Sequence, residues 1–347
     1  MKKYDFAFIV HPRSRKELVR SFPPFWFVPN FLLYLFSPRI IGDIVLTHER
    51  RPLRGALVGI VNVPAQFLKR DEKIKKKILS AIRLAQNYGA NIVGLGSLSS
   101  PAVSGGLDIQ AESLIAITNG NALTAAVVIQ DVQSIAGMLQ KKNKKANVAI
   151  IGATGSIGQA VSHAIAGHVD SLSIIARKKE SLDVLADTLR SHSPGLMLTV
   201  STTVADAETA NIIVVATSHH ETVLHSAGVV EGTVVYDITQ PSNLKKSDWI
   251  RRDDVLVMQG GLVHFPGLQV SKITGLDDEE SFACLAETAL LSLAQRTSED
   301  FSVGHVTAEN IKKIEKLAKQ HGVTSLIKKW NNVLEWDNII MFIEKYA

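Results

Sequence analysis

The chain is 347 residues long and has a single cysteine, Cys284. That scarcity rules out an intrachain disulfide, so a reducing compartment is the expected setting. It also rules out a cysteine-rich zinc site, and no metal is expected, since the His219-His220-Glu221 run lacks ligand spacing on one face. Low-complexity segments and internal repeats are absent. The net charge of +5 is mild, and without a basic patch interleaved with aromatics nothing points to nucleic acid. Long hydrophobic runs are scarce as well. The stretch Phe6 to Val10 ends at His11-Pro12-Arg13, too short for the apolar core of a signal peptide. Phe22 to Phe36 is interrupted by Pro23, Pro24 and Pro29 and falls short of the roughly 20 residues a spanning helix needs. It reads as a core or dimer-contact segment, or else as a lid, part of a lipid pocket or an interfacial segment. A cytoplasmic protein is expected, with peripheral membrane contact through this stretch as the further expectation.

What is present is globular: 46% hydrophobic and 20% charged residues, on a chain long enough for two domains. Asp5–Val10, Ala56–Val63 and Ile92–Leu95 read as buried strands. Between them, Ile74, Ile78, Ile82 and Ala85 repeat at helical spacing in a segment from Lys69 to Tyr88, with Gly89 as its stop. A long helix is expected over Ala122–Leu139, followed by the solvated run Lys141 to Lys145. Beyond that connector the pattern becomes strand, helix, strand, from Val148–Ile151 to Val255–Met258. Continuous apolar strands in this pattern predict a parallel sheet covered on both faces. The expected fold is therefore α/β in two domains: an N-terminal α/β substrate domain at 1–140 and a Rossmann-like doubly wound parallel sheet at 146–276. C-terminal helices at 277–347, carrying Cys284, are expected to close the structure and pack back on both.

The sharpest local signal is Gly152-Ala153-Thr154-Gly155-Ser156-Ile157-Gly158, placed directly after a strand and opening a helix. Such a loop needs one glycine for the tight turn, one for backbone approach to a pyrophosphate and one for close helix–sheet packing. The helix start then offers free N–H groups to phosphate. Glycine clusters are often plain turns, and it is the strand–loop–helix context that raises this one. The next strand runs into Arg177 and Lys178, where an NAD enzyme usually offers a carboxylate to the ribose. Cations there favour a 2′-phosphate, so NADPH is the expected cofactor; a solvated charge cluster is the alternative. Ala216 and Thr217, Asp237 and Gly260 are expected at the cofactor edge of later strands, Asp237 equally as the cap of its own turn.

Cys284 itself, among Phe282, Ala283, Leu285 and Ala286, reads as a small buried hydrophobe about two turns into a helix spanning Asp277 to Gln295. A helix N-terminus would favour its thiolate, while Asp277, Asp278, Glu279 and Glu280 would oppose it.

Several segments together resemble the cyanobacterial long-chain fatty acyl-[acyl carrier protein] reductases. They are Thr118-Asn119-Gly120-Asn121, the Gly152–Gly158 loop, Ala176-Arg177, Gly260 to His264, Phe282 to Glu287 and Phe301 to Gly304 with Thr307. The loop Ser97 to Gly106 and the aromatic run Phe22 to Phe36 depart from that pattern. The resemblance implies that Cys284 accepts an acyl group from acyl carrier protein or acyl-CoA, and that NADPH reduces the acyl-enzyme to a fatty aldehyde. It further implies substrate contacts at Thr118, Asn119 and Asn121, and a downstream enzyme that uses the aldehyde. His264 is a candidate for proton transfer, or else an exposed structural histidine. Basic segments at Lys69–Lys77 and Lys245–Arg252 would suit an acidic carrier protein, or simply be solvated faces. A dehydrogenase of the shikimate or amino-acid type, without covalent catalysis, is the alternative; it needs a Lys–Asp pair and would make Cys284 dispensable. A protein that binds NADP without turnover is the third reading.

Overall fold

The computed structural model describes residues 3–48, 51–217, 224–240, 242–271, 275–330 and 332–346, so His219, His220 and Glu221 lie outside the described residues. The chain forms two compact units, Met1–Leu123 with Val263–Thr324, and Thr124–Leu262 with Ser325–Ala347. Boundaries at 140 and 276 are thus replaced by a discontinuous division. The segment bearing Cys284 belongs with the N-terminal part, and the final segment belongs with the parallel sheet.

Strands β1 (Phe6–Val10), β2 (Arg39–Leu46), β3 (Leu53–Gly59), β4 (Ile92–Leu95) and β5 (Ala116–Thr118) come first. Then follow β6 (Asn147–Ile151), β7 (Ser171–Ile175), β8 (Met197–Ser201), β9 (Ile212–Val215), β10 (Val234–Asp237) and β11 (Leu256–His264). The last are β12 (Leu268–Val270), β13 (Glu280–Phe282), β14 (Thr324–Lys329) and β15 (Asn332–Val333).

The first unit holds a sheet in the order β12-β2-β3-β1-β4-β5. Its inner strands β3, β1, β4 and β5 are parallel. The edge is antiparallel: β2 runs against β3, and β12 runs against β2 with Leu268 opposite Leu46. This pairing explains the discontinuous boundary, because the edge is completed by residues that lie far along the chain. Helix α1 (Arg15–Ser21) starts at Ser14, whose side chain accepts from the Glu17 N–H. Helix α2 (Glu72–Asn87) starts at Asp71, which accepts from the Ile74 N–H. Its face Ile74, Ile78, Ile82 and Ala85 is buried as the periodicity predicts, and Gly89 follows at φ 97.

The second unit is the expected doubly wound α/β sheet, in the order β15-β14-β11-β10-β9-β6-β7-β8. Strands β11, β10, β9, β6, β7 and β8 are all parallel. From β6 the chain proceeds through β7 to β8 on one side, then returns to build β9, β10 and β11 on the other. Order therefore reverses between β6 and β9, the kind of switch point where open α/β sheets bind ligands beyond the strands' carboxyl ends. Both faces are covered: Val148, Ile150, Ile212 and Val214 pack in one core, and Ala149, Ile151, Ile213 and Val215 in another. Helix α3 (Asn121–Lys141) is long and apolar enough to cross a bilayer, yet 67% of its apolar stretch is buried. Val128, Val132, Ile135 and Leu139 of that helix sit in the unit's core. Helices α4 (Ser156–Ile165), α5 (Lys179–His192) and α8 (Trp336–Tyr346) belong to this unit, while α6 (Ala283–Leu293) and α7 (Ala308–Gln320) belong to the first.

Candidate active site

In the parallel unit the glycine loop sits at the switch point. The N–H groups of Gly152 and Ala153 donate to the Ile175 carbonyl at 2.8 and 3.1 Å, which ties the loop to β7. Gly152 has φ 91, and a Cβ there would stand 2.6 Å from the Ala216 carbonyl oxygen, so the turn requires glycine. A Cβ at Gly158 would stand 2.3 Å from the Gly152 carbonyl oxygen, the close packing expected of a third glycine. Gly155 is exposed at the start of α4, and no side chain caps that helix. With no side chain at Gly155, the helix start is open to close approach, and these residues fit the pyrophosphate of a dinucleotide. Ala216 and Thr217, directly after β9, lie against Gly152. Arg177 is exposed just beyond β7, and Lys178 occupies the position before the first turn of α5.

Two expected cofactor residues have other partners. Asp237 is 2% exposed at the end of β10 and caps its own loop. It accepts from the Thr239 N–H and hydroxyl at 2.9 and 2.5 Å, the Ser242 hydroxyl at 2.5 Å and the Asn243 N–H at 3.2 Å. Pro241 in that loop lies outside the described residues. Gly260 is a packing glycine: its Cβ would fall 2.1 Å from Cζ of Tyr236, whose ring fills the space. The Tyr236 hydroxyl in turn bonds the buried Asp131 carboxylate, and the Ser325 hydroxyl donates to the same carboxylate at 2.7 Å.

In the first unit, three segments more than 150 residues apart in part converge on Cys284. The helix carrying it begins at Ala283, after an extended Phe282, because Glu280–Phe282 form β13. Cys284 is therefore in the first turn and not two turns into a helix from Asp277. The turn before α3 lies against it, since a Cβ at Gly120 (φ +73) would stand 2.2 Å from the Cys284 Cβ. That turn is braced from within: the Gly120 N–H donates to the Thr118 hydroxyl at 3.2 Å, and the Asn121 N–H to Asn119 at 3.0 Å. Asn119 Nδ2 donates to the carbonyls of Gly105 at 3.2 Å and Gly304 at 3.0 Å, and the Phe301 N–H reaches the Ile117 carbonyl at 2.8 Å. Thr118 and Asn119, buried at 0% and 2%, hold this turn together rather than offer open groups to a substrate; Asn121 is half-buried at the start of α3.

Glu287 is a buried acid to which the sequence reading gave no role of its own. It follows Cys284 by one turn and is fully buried. The Thr118 hydroxyl donates to it, and the Leu123 N–H donates to its other oxygen at 2.7 Å. Burial pushes its carboxyl up to about 7, against those hydrogen bonds, which pull down. A buried acid one turn from the cysteine was the available signal. Cys284 keeps a partly open surface. Its packed surroundings push the thiol up to about 12, with the Glu287 charge adding to the rise and the N–H groups of Leu285 and Cys284 opposing it. At rest the group is a thiol.

His264 pairs with an acidic neighbour. Its Nε2 lies 3.1 Å from Glu279, which also accepts from the Gly267 N–H at 2.8 Å. Both side chains are 45% exposed, so the structure favours the surface reading. The acidic run loses its expected effect on the cysteine in the same way: Glu279 faces His264, and Glu280 accepts from the Asp277 N–H at 3.1 Å.

The buried Glu287 yields a pH prediction. Its folded value near 7 lies above the ordinary 4.5, so its contribution to stability is full below 4.5 and is lost as the pH rises through 7. Glu287→Gln should therefore gain stability relative to wild type between pH 5 and 7.5, on the order of 3 kcal/mol. Denaturant unfolding of both proteins at the two pH values measures this; a constant difference would show that the carboxyl holds no extra proton.

A family model described as Shikimate / quinate 5-dehydrogenase matches residues 134–254. The match covers most of the parallel unit and includes neither Cys284 nor the Thr118–Asn121 turn. The chain is 29% identical over 350 residues to the aminotransferase PigE of a Serratia strain, an alignment covering 91% of this chain and 39% of that protein. It thus spans about two fifths of that relative's length. It is 26% identical over 307 residues to a long-chain acyl-[acyl-carrier-protein] reductase of Synechococcus elongatus, covering 83% of this chain and 88% of the relative. Among solved structures, quinate dehydrogenase from Corynebacterium glutamicum in complex with NAD aligns over 73% of this chain and 87% of that one, at 14% identity and a TM-score of 0.36. Glycine loop, switch point and family match together define a dinucleotide-binding fold like that of the shikimate and quinate dehydrogenases.

Proposed function

We propose that the chain is an NADPH-dependent reductase of long-chain acyl thioesters, acyl-[acyl carrier protein] or acyl-CoA, which releases a fatty aldehyde through an acyl-Cys284 intermediate. One observation carries this reading. The segments Thr118–Asn121, Cys284–Glu287 and Phe301–Gly304 fold around Cys284, a half-buried residue in the first turn of a helix. The likeness to the Synechococcus reductase, which runs through both units, supports it.

In the first step the Cys284 sulfur adds to the thioester carbonyl and the carrier's C–S bond breaks. The cysteine's proton ends on the departing sulfur, so neutral thiols stand on both sides. Glu287, which holds its proton to about pH 7 beside the thiol, is suited to pass that proton. N–H groups of the first turn of α6, which no helical carbonyl can reach, are suited to the oxyanion. When bound, NADPH supplies the two-electron reduction of the acyl-cysteine. The C–S bond to Cys284 then breaks, and a proton restores the thiol as aldehyde leaves. Incubating the protein with a long-chain acyl-CoA and no NADPH should add one acyl mass to Cys284; intact protein with no adduct would count against the covalent scheme.

The second reading, a dehydrogenase of the shikimate type without covalent catalysis, is favoured by the family match to residues 134–254. It requires a lysine–carboxylate acid/base pair. In the first unit the pairs Lys75–Glu112 and Lys313–Glu309 are solvent-facing and suit surface structure better than catalysis.

NADPH preference is assigned to Arg177, exposed beyond β7 where a carboxylate would select NADH. Arg177→Ala is expected to weaken NADPH binding by about tenfold, in line with loss of a charge-assisted phosphate contact, and to leave NADH binding within about twofold. Fluorescence titration with both cofactors checks this; an unchanged NADPH/NADH ratio would remove Arg177 from the site.

A further inference from the structure

Four large apolar side chains project from the first unit: Trp26, Phe27, Phe31 and Leu35 are 71%, 85%, 72% and 75% exposed. Of the expected core or dimer-contact segment over Phe22–Phe36, the core half is thereby corrected. The residues lie on two short 3₁₀ turns, Pro23–Phe27 and Asn30–Leu35, in which Leu33 is the buried anchor. These turns are firmly held. Arg15 donates to the carbonyls of Phe25 and Val28, Gln66 to that of Asn30 at 2.9 Å, and Lys77 to that of Phe36 at 2.8 Å. Phe25 packs edge-on against Phe36 at 4.9 Å. Exposure here is built into the fold, and it forms a patch rather than scattered single residues.

Charge is gathered around the same patch. The flanking stretch 13–39 carries five cations and one anion, and 69–77 carries six cations and two anions. Each stretch is thus +4, against +5 for the whole chain, so the rest of the molecule is net negative. Glu17 is paired with Arg13, and Asp71 caps α2. Lys73 sits 5.7 Å over the Tyr34 ring, and its helix supplies the Lys77 contact to Phe36, so the second basic stretch adjoins the patch.

We propose that this surface docks the protein on an anionic lipid bilayer. Trp26, Phe27, Phe31 and Leu35 enter the boundary between headgroups and acyl chains, and the surrounding cations meet the lipid phosphates. A bilayer receives protruding rings without a matching cavity. An acidic protein partner would satisfy the cations but would need pockets for four bare apolar side chains. The inference does not rest on the proposed reductase chemistry, and its test uses no substrate.

The full chain is floated with vesicles of phosphatidylcholine alone or with phosphatidylglycerol added. Partitioning onto the anionic vesicles should exceed that onto neutral ones by about tenfold or more at 0.1 M salt, and should fall at 0.5 M. Tryptophan emission should shift to the blue on binding, and Trp26→Phe should remove the shift while binding persists. The double variant Phe27→Ser with Phe31→Ser should bind about tenfold less or weaker still, and the pair Arg20→Glu with Lys76→Glu should lose the anionic preference. Circular dichroism of each variant confirms that these surface changes leave the fold intact. The proposal is overturned if wild-type protein stays off anionic vesicles, or if the double phenylalanine variant binds like wild type. It is also overturned if the patch instead supports binding of an acidic carrier protein or self-association, seen as a complex in sedimentation that the same variant abolishes while vesicles bind neither protein.

Discussion

Cys284→Ala is expected to lose acyl-thioester reduction by about a thousandfold or more, while NADPH affinity stays within about twofold of wild type. The size follows from the chemistry, since no other thiol exists in the chain to accept the acyl group. The cofactor half should be untouched, because the glycine loop and its contacts to Ile175 and Ala216 belong to a separate unit. Cys284→Ser is the sharper variant. With a hydroxyl at the same place in the first turn, slow acylation and a long-lived ester would replace the thioester. Steady-state NADPH oxidation with acyl-CoA, run beside intact-mass detection of the adduct, measures both effects. A fully active Cys284→Ala protein would exclude the covalent scheme and leave the dehydrogenase reading.

Gly120→Ala should be the most damaging conservative change in the first unit. The position has φ +73, which costs a side-chain-bearing residue about 1 kcal/mol. Its new Cβ would stand 2.2 Å from the Cys284 Cβ, 2.4 Å from its Cα and 2.8 Å from its carbonyl oxygen. Two of those atoms are backbone in a helix, so neither can swing aside, and overpacking of this kind costs a further 1–3 kcal/mol or so. A melting temperature lower by on the order of 10 °C is expected, together with loss of acyl transfer. Adding Cys284→Ala should not rescue stability, because every clashing atom remains. Gly137→Ala in α3 is the control: nothing stands within 4 Å of its Cβ, and the helix should gain up to about 1 kcal/mol. Scanning calorimetry of the three proteins separates the outcomes; a Gly120→Ala protein as stable as wild type would mean that the turn does not press on the cysteine.

The sequence was most readable where the physics is local. A strand, a glycine turn and a helix in immediate succession locate the Gly152–Gly158 loop, and apolar strands covered on both faces mark the parallel sheet. The helix end at Gly89 follows from glycine's ease at positive φ, which it adopts. Features that depend on distant partners were hidden. Nothing near Leu268 announces that it will pair with Leu46, so the discontinuous unit could not be seen. Acidic residues before Cys284 look like a helix start, but Glu280–Phe282 pair as a strand and move that start to Ala283. Gly260 resembles a cofactor glycine until Tyr236 is seen in its place, and His264 resembles an acid until Glu279 is seen to hold it. Phe22–Phe36 read as core or dimer contact, and its exposure stayed open, because composition reports apolarity and not which way a side chain faces.

The antiparallel edge of the first sheet has a consequence for biosynthesis. Strand β2 is made early, but β12, which covers it, emerges roughly 200 residues later, after the Thr124–Leu262 part of the parallel unit has been synthesised. At typical elongation rates β2 therefore waits about 10–40 s with its outer hydrogen-bonding groups bare. Such an edge invites pairing with another nascent chain, and a charge within it is a known safeguard. Arg39 and Asp43 supply that charge within β2. Neutralising them would be felt on the ribosome, as lost yield, more than in the finished protein.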